Sequence, residues 1–218
     1  MDSRAITKLI RKRVWPALGE HGFTTFTTRS AWRYWEEGID VVNFQALGSY
    51  SAGVIGCTPF SFAVNLGISL DYLPRSPVNE RGGRPAPEEY ECILRTSLSP
   101  SIPQQRYDVG PTDVWYVDGR GRNAEANVQD AVRVLVGTGL PWFESYRDPG
   151  RVLADLRAGK LEDCAGADPS PLRHYLIGYT ALRTGDAAVA RDHFRALLAT
   201  GIPVGGEGEI EAVVARLA

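Results

Sequence analysis

The stretch FSFAVNLGISL, residues 60–70, alternates large apolar side chains with small or polar ones. A period of two over this length predicts a β-strand, because the apolar positions of an amphipathic helix recur every three to four residues. One face is apolar and consists of Phe60, Phe62, Val64, Leu66, Ile68 and Leu70. The other face carries only Ser61, Ala63, Asn65, Gly67 and Ser69, which are too small for an ordinary charged surface. We expect this second face to lie under another layer of the protein or against a partner.

Two segments upstream predict a β-hairpin that belongs to the same sheet. Residues 32–36 and 39–47 are rich in aromatic and β-branched residues. Glu37-Gly38 between them predicts a tight turn with Gly38 at positive φ. In the second of these strands Asn43 and Gln45 share one face. With a last strand at residues 113–118, the sequence predicts an antiparallel sheet of about four or five strands.

Two helices are predicted to pack on the apolar face of this sheet. The first runs from Ser3 to about Leu18, and Pro16, which lacks an amide proton, should kink or end it. The second is capped by Asn123 and runs to about Val136, and the glycines at positions 137 and 139 should end it.

Beyond Pro149 the composition changes and every apolar pattern becomes helical. Helices are predicted at residues 151–158, 171–184, 187–200 and 209–217. The sequence therefore predicts an α+β fold with two parts, an α+β domain over residues 1–146 and a helical C-terminal extension over residues 147–218.

One helix pair in this extension has a recognisable spacing. Gly178, Gly185, Ala190 and Phe194 follow the pattern of small and aromatic residues in a tetratricopeptide-like hairpin. A solenoid needs about three such repeats, and one is visible. The pair is expected either to dock on the main domain or to form a peptide-binding groove.

Segments rich in glycine, serine or proline predict loops. Residues 48–59 connect the hairpin to the alternating strand and are expected to be mobile. Residues 74–87 and 100–111 hold several prolines each and predict long surface excursions. Between them, residues 88–98 carry no decisive pattern.

Charge and cysteine content bound the class of protein. The chain has 218 residues, with 24 Lys plus Arg against 26 Asp plus Glu, so its net charge of −2 gives no global attraction to nucleic acid or to an anionic membrane. Cys57, Cys92 and Cys164 are widely spaced, which argues against a disulfide framework or a zinc site and favours reduced thiols. No signal peptide and no membrane span are predicted. We therefore expect a cytoplasmic protein.

The order of the motifs resembles a known family. A helix, paired strands with Asn43-Phe44-Gln45, the strand FAVNLGI at residues 62–68, Trp115-Tyr116 and a helix before LPWF at residues 140–143 are similar to the bacterial family catalogued as domain of unknown function 4304. The resemblance covers residues 3–146 and implies no particular reaction. Where relatives have a Cys-His-Ile-Arg-like segment, this chain has CILR at residues 92–95, so no histidine mechanism is implied. Small bacterial families of this kind often include toxin-neutralising immunity proteins.

The sequence contains no catalytic signature. His21, His174 and His193 lie in no triad-like or metal-binding context. His174 and His193 are expected on adjacent helices, where a shared metal is the alternative to solvated side chains. Cys57 has no histidine near it in sequence, and we interpret it as a structural thiol. We predict no catalytic residue, no metal and no cofactor.

Arginine-rich and glycine-rich segments superficially suit anions. RGGR at residues 81–84 lacks the Gly-Lys-Ser/Thr ending of a P-loop, and DGRGR at residues 118–122 lacks the third glycine of a dinucleotide fingerprint. We interpret both as turns with solubilising arginines. The cations of the first helix, Arg4, Lys8, Arg11 and Lys12, are interpreted as a solvated face, so nucleic acid is not the predicted partner.

Aromatic and amide side chains give the predicted binding surface. Aromatic rings bring contact area at little entropic cost, and amides fix orientation. The predicted binding residues are Asn43, Gln45, Asn65, Arg95, Trp115 and Tyr116. The alternative is that the C-terminal helices cover these residues as a second layer.

We expect a non-enzymatic module that binds another protein, such as a toxin. The competing expectation is a small-molecule-binding protein or an enzyme, with a pocket between the sheet and the C-terminal helices that uses Asn65, Gln45, Arg95 and Tyr116.

Overall fold

The computed structural model describes residues 3–73, 79–104, 111–161, 170–204 and 208–217. The chain forms two compact units, the first comprising Met1–Ser69 with Val78–Phe143 and the second comprising Leu70–Pro77 with Glu144–Ala218. The first unit holds a sheet and helices, and the described part of the second is helical. The α+β fold predicted from the sequence is confirmed.

The sheet of the first unit is antiparallel, with six strands among the described residues. They are β1 (Thr25–Phe26), β2 (Ser30–Trp35), β3 (Gly38–Ala46), β4 (Phe62–Leu70), β7 (Leu94–Leu98) and β8 (Val114–Trp115), while β5 (Glu80–Arg81) and β6 (Arg84–Pro85) form a separate hairpin. The order is β1-β2-β3-β4-β7, and β8 pairs with β4 at Phe62 and Ala63. β4 is the alternating strand, and it begins two residues later than predicted.

The first unit also contains several helices and helical turns. They are α1 (Ser3–Leu9), a π-helical turn (Ile10–Val14), α2 (Trp15–Glu20), α3 (Ser49–Ile55), a 3-10 turn (Glu89–Glu91), α4 (Ala124–Val134), a second π-helical turn (Leu135–Gly139) and α5 (Leu140–Ser145). The second unit contains α6 (Pro149–Arg157), α7 (Pro171–Arg183), α8 (Ala187–Ala199) and α9 (Glu209–Arg216). These C-terminal helices agree with the sequence prediction.

The first face of the sheet, which carries the even-numbered residues of β4, forms an aromatic core. Phe62 stacks on Trp115 with ring centroids 5.7 Å apart, and Phe44 lies 5.6 Å from Phe62 on the other side. Trp15 of α2 contacts Phe44 edge-on at 5.7 Å. The Trp115 indole N–H donates to the buried Asp130 of α4 at 2.9 Å. The first helical segment and α4 thus pack on this face, as expected.

Gly38 has a different role from the one predicted. Trp35 pairs with Gly38, so the turn consists of Glu36 and Glu37, and Gly38 lies in β3 without a positive φ. A Cβ at Gly38 would lie 2.5 Å from the Ser69 carbonyl oxygen and 2.9 Å from the Trp35 ring. The glycine is needed for close packing rather than for turn geometry.

One of the two predicted helix ends is wrong. The first helical segment ends at Glu20, two residues beyond the predicted end near Leu18, and a π-helical turn before Pro16 lets the Trp15 amide bond to the Ile10 carbonyl. The helix after Asn123, in contrast to the prediction, continues past Gly137 and Gly139 through a second π-helical turn. A Cβ at Gly139 would lie 3.2 Å from Leu66, so this glycine lets the helix approach the sheet.

The segment predicted as a mobile loop at residues 48–59 contains α3. Gly56 ends this helix in the left-handed conformation, with φ at 75°. Of the other predicted loops, residues 74–78 and 105–110 lie outside the described residues, as does Cys164. None of the helices described is long and apolar enough to cross a membrane.

The second unit is built around a close helix pair. Gly178 of α7 faces Phe194 of α8, and a Cβ on the glycine would lie 2.4 Å from the Phe194 ring. Side-chain caps begin both helices, since Ser170 Oγ accepts from the Arg173 amide and Asp186 Oδ1 accepts from the Val189 amide. The spacing noted in the sequence therefore marks a packed pair of helices.

Candidate functional site

The second face of the sheet, which carries Ala63, Asn65, Gly67 and Ser69 of β4, is partly covered within the first unit. At one end lies the segment 86–92, which we call the 86–92 cover. Its Ala86 and Cys92 pack with Trp32, Ile39 and Val41. The Trp32 indole N–H donates to the Pro87 carbonyl oxygen at 2.8 Å.

Gly67 is small because this cover lies directly over it. A Cβ at Gly67 would stand 2.7 Å from Cys92 Sγ and 3.1 Å from the Glu89 carbonyl oxygen. Any larger side chain would displace the cover, so close packing requires a glycine at this position of the strand.

The other end of the second face lies under α3, which we call the α3 cover. Ala52 of α3 packs with Leu47, Val114 and Tyr116, and Ile55 and Cys57 are half-buried against the same cluster. The helix is only seven residues long. Such a length is marginal in isolation, so this cluster holds it in place.

Between the two covers runs a row of polar side chains, which we call the amide strip: Ser30, Asn43, Gln45, Asn65 and Ser97. Asn65 Nδ2 donates to Gln45 Oε1 at 2.8 Å, and Ser97 Oγ donates to Asn65 Oδ1 at 2.9 Å. Asn43 Nδ2 donates to Ser30 Oγ at 3.0 Å. The register of the sheet explains the row, because Ser30 pairs with Asn43 and Asn65 pairs with Ser97.

The amide strip retains hydrogen-bonding capacity toward solvent. Gln45 and Ser97 are exposed and Asn43 is half-exposed, whereas Asn65 at 9% forms the floor. Among the described residues, neither Asn43 Oδ1 nor Gln45 Nε2 has a hydrogen-bond partner. Asn43 Oδ1 is an acceptor and Gln45 Nε2 is a donor, so the two atoms can bond to the N–H and C=O groups of a peptide backbone.

Arg95 lies beside the amide strip but has an internal partner. Its Nε donates to Glu89 Oε1 at 2.8 Å, and Glu89 is buried. Arg95 pairs with Gly67 across the sheet, so this ion pair fastens the 86–92 cover above that glycine. We interpret Arg95 as a residue that positions the cover.

Trp115 and Tyr116 do not belong to an accessible surface. Trp115 is 0% exposed in the aromatic core, and Tyr116 is 4% exposed under the α3 cover. The Tyr116 hydroxyl donates to the Pro111 carbonyl oxygen at 3.2 Å. The sequence places one ring on each face of the strand correctly, but both faces are covered at this position.

The two covers carry exposed apolar residues, and the sequence prediction missed them. Tyr50 and Val54 of α3 are 86% and 72% exposed, and Tyr90 in the 86–92 cover is 69% exposed. We call these three residues the apolar ridges. The i, i+4 spacing of Tyr50 and Val54 is the only sequence signal, and it is visible only if the segment is assigned as helix.

Two thiols lie at this face, Cys57 against the α3 cluster and Cys92 in the 86–92 cover. Burial raises the pKa of the Cys57 thiol, so it stays protonated at neutral pH and is a poor nucleophile. Cys92 is buried. No group of three or more potential metal ligands occurs in the part of the chain that the structure describes.

The DGRGR segment is a self-contained turn. The amides of Arg120 and Arg122 donate to the Asp118 carboxylate at 2.7 and 3.1 Å. Slight desolvation would raise the pKa of Asp118, but these bonds and the charge of Arg122 together lower it. The backbone donors that a phosphate would need are thus occupied by the carboxylate of the chain itself.

The two histidines predicted on adjacent helices meet in the second unit. Nδ1 of His174 lies 2.9 Å from Nδ1 of His193. Burial lowers the pKa of both rings, and nearby arginines lower it further. The pair is a neutral hydrogen-bonded contact between α7 and α8.

The comparisons with known proteins agree with the resemblance seen in the sequence. No curated protein and no solved structure matches the chain significantly. A family model described as Domain of unknown function (DUF4304) matches residues 13–145, which include the sheet, both covers and the amide strip. Because this match spans more than half of the chain, the protein belongs to the DUF4304 family.

Proposed function

We propose that the protein is a non-enzymatic module that binds another protein through the second face of its sheet. The observation that carries this proposal is the amide strip, open between two covers whose outer sides bear the exposed apolar ridges. A central set of amides flanked by exposed aromatic and aliphatic residues is a typical composition for a protein interface.

The energetic roles of the two parts differ. Tyr50, Val54 and Tyr90 supply apolar area that a partner removes from water. The amides add little net free energy, but an incorrectly placed partner leaves them unsatisfied at a cost of about 1–3 kcal/mol each. The ridges would therefore provide affinity, and the amide strip would provide specificity.

A finer proposal concerns the class of partner. We infer a toxin-neutralising role in the bacterial cytoplasm, where the described cysteines Cys57 and Cys92 would stay reduced. The tetratricopeptide-like α7–α8 pair would serve this role as a rigid accessory. The test is co-expression with the product of the adjacent gene: relief of its toxicity supports the inference, and a harmless metabolic enzyme in that position contradicts it.

Binding itself is tested by affinity capture from the native host followed by mass spectrometry. The wild-type chain should retain one dominant protein, and a Tyr50→Ser, Val54→Ser double variant should lose it. Val136→Ser is the matched control, since Val136 is 37% exposed in the same unit but lies away from both covers. Capture of no partner, or equal capture by the double variant, would contradict the proposal.

A further inference from the structure

A cleft lies beside the second face, between β1 and the β5–β6 hairpin. Its volume is about 560 Å³, and it is lined by Thr24, Thr25, Phe26, Thr27, Arg81, Gly82 and Arg84. The lining contains two cations and three hydroxyl groups but no carboxylate. Its electrostatic character is therefore positive, although the chain as a whole is slightly acidic.

The two arginines lie directly opposite each other in the β5–β6 hairpin. Like charges in this position repel. The guanidinium of Arg81 lies 5.3 Å from the centroid of the Trp32 ring, and that of Arg84 lies 5.2 Å from the centroid of the Tyr34 ring. Neither arginine has an ion-pair partner among the described residues, so no described carboxylate neutralises this repulsion.

The rings beneath the arginines set the spacing of the two charges. Trp32 and Tyr34 are two residues apart on β2, so their side chains point to the same face and lie about 6.5–7 Å apart. Carboxylates at alternate positions of an extended peptide have the same spacing. The cleft therefore matches an extended acidic segment better than a compact ion.

The position of β1 adds a second feature. β1 is at the end of the strand order and pairs only with β2 in the described part of the chain. An edge strand of this kind offers backbone groups to an added strand. Thr27 connects the cleft to the amide strip, because its amide donates to the carbonyl oxygen of Ser30 at 2.8 Å.

We propose that this cleft binds an extended acidic segment of the protein partner, which adds alongside β1 and places carboxylates from alternate positions on Arg81 and Arg84. This inference rests on the proposed protein-binding function and names the chemistry of the partner. The hydroxyls of Thr24 and Thr25 donate to the remaining carboxylate oxygens, whereas the Thr27 hydroxyl already donates to the Ser30 carbonyl oxygen at 3.2 Å.

The test is titration of the full-length protein with fluorescein-labelled peptides, followed by fluorescence anisotropy at low ionic strength. The probes are Glu-Thr-Glu-Thr-Glu-Thr, its isomer Glu-Glu-Glu-Thr-Thr-Thr, and the neutral Gln-Thr-Gln-Thr-Gln-Thr. The alternating acidic peptide should bind most tightly and the neutral peptide should not bind. Equal binding of the two acidic isomers would overturn the strand geometry.

Variants locate the site. Arg81→Gln together with Arg84→Gln should weaken binding of the alternating peptide about tenfold, as expected for two exposed ion pairs. Arg120→Gln removes an exposed arginine elsewhere in the same unit and should leave binding unchanged. If the double variant does not fold, Arg84→Gln alone and the salt dependence of wild-type binding test the site. Peptide binding that neither Arg84→Gln nor added salt weakens would overturn the proposal.

Two further outcomes separate the alternatives. If a phosphoserine peptide without carboxylates binds more tightly than the alternating peptide, and inorganic phosphate displaces both, the cleft is a phosphate site and the acidic-segment proposal is wrong. If the acidic peptides fail while partner capture still depends on Tyr50 and Val54, only this inference fails. Loss of that dependence would instead contradict the proposed function.

Discussion

The two faces of one sheet are constructed in opposite ways. On the first face the rings of Phe44, Phe62 and Trp115 are in continuous contact and fully buried, and Trp15 of α2 packs edge-on against Phe44. On the second face β4 carries only small residues, and two short covers pack over the two ends of this face. Large side chains determine by their shape which segments can pack on the first face. On the second face the side chains of β4 are small because other segments lie directly over them.

The largest expected loss of stability comes from a substitution on the first face of β4. Phe62→Ala should destabilise the protein by about 3–5 kcal/mol, because it leaves a cavity between Phe44 and Trp115. Urea unfolding followed by circular dichroism measures the loss. A cost below about 1 kcal/mol would mean that the aromatic contacts are not the core of the first unit.

Asp130 tests the polar anchor of the first face. Asp130→Asn should cost about 1.5–3 kcal/mol, since the carboxylate accepts from Trp115 and Ser101 and pairs with Arg133. Burial alone would raise the pKa of Asp130, but these hydrogen bonds and the Arg133 charge lower it below its ordinary value of 3.8.

The pH dependence of this effect follows from the sign of the shift. A depressed pKa stabilises the folded state above the ordinary value, and the contribution is lost as the pH falls from 3.8 through the folded-state pKa. The difference in unfolding free energy between wild type and Asp130→Asn should thus be constant near neutral pH and shrink in acid. A difference that does not change with pH would contradict the assignment.

Gly67 tests the cover on the second face. Gly67→Ala should cost about 1–3 kcal/mol, because the new Cβ would collide with Cys92 and displace the 86–92 cover. Gly53→Ala is the control, since nothing lies within 4 Å of its Cβ position and alanine favours α3. Thermal unfolding of both variants should show a lower midpoint only for Gly67→Ala.

The smallest expected stability change belongs to the amide strip. Asn65→Ala should cost about 0.5–1.5 kcal/mol, because exposed Gln45 and Ser97 replace the lost bonds with water. Capture of the partner should nevertheless fall well below that of wild type. A variant that binds normally would show that the amides have only a structural role.

The sequence predicts the elements whose pattern is local. Alternation identifies β4 and assigns its faces, and strand parity brings Asn43, Gln45 and Asn65 to one side. Helical periodicity identifies the C-terminal helices to within a few residues. In each case the side chains that produce the sequence pattern are also the ones that pack the element against the rest of its unit.

Other features depend on contacts between distant segments. α3 forms because residue 52 packs against residues 114 and 116, and nothing within its own seven residues requires a helix. The exposure of Trp115 and Tyr116 is likewise not determined by their order in the chain, since it depends on covers from elsewhere. The stacking of Arg81 on Trp32 joins residues 49 positions apart.

The separateness of the covers has a consequence for how the family can diversify. Each cover has its own small apolar cluster, so positions 50, 54 and 90 can change identity without altering a single contact of the aromatic core. Selection on binding and selection on folding then act on different residues. A lineage can acquire a new partner by exchanging the outer surfaces of two short segments while the scaffold beneath them stays the same.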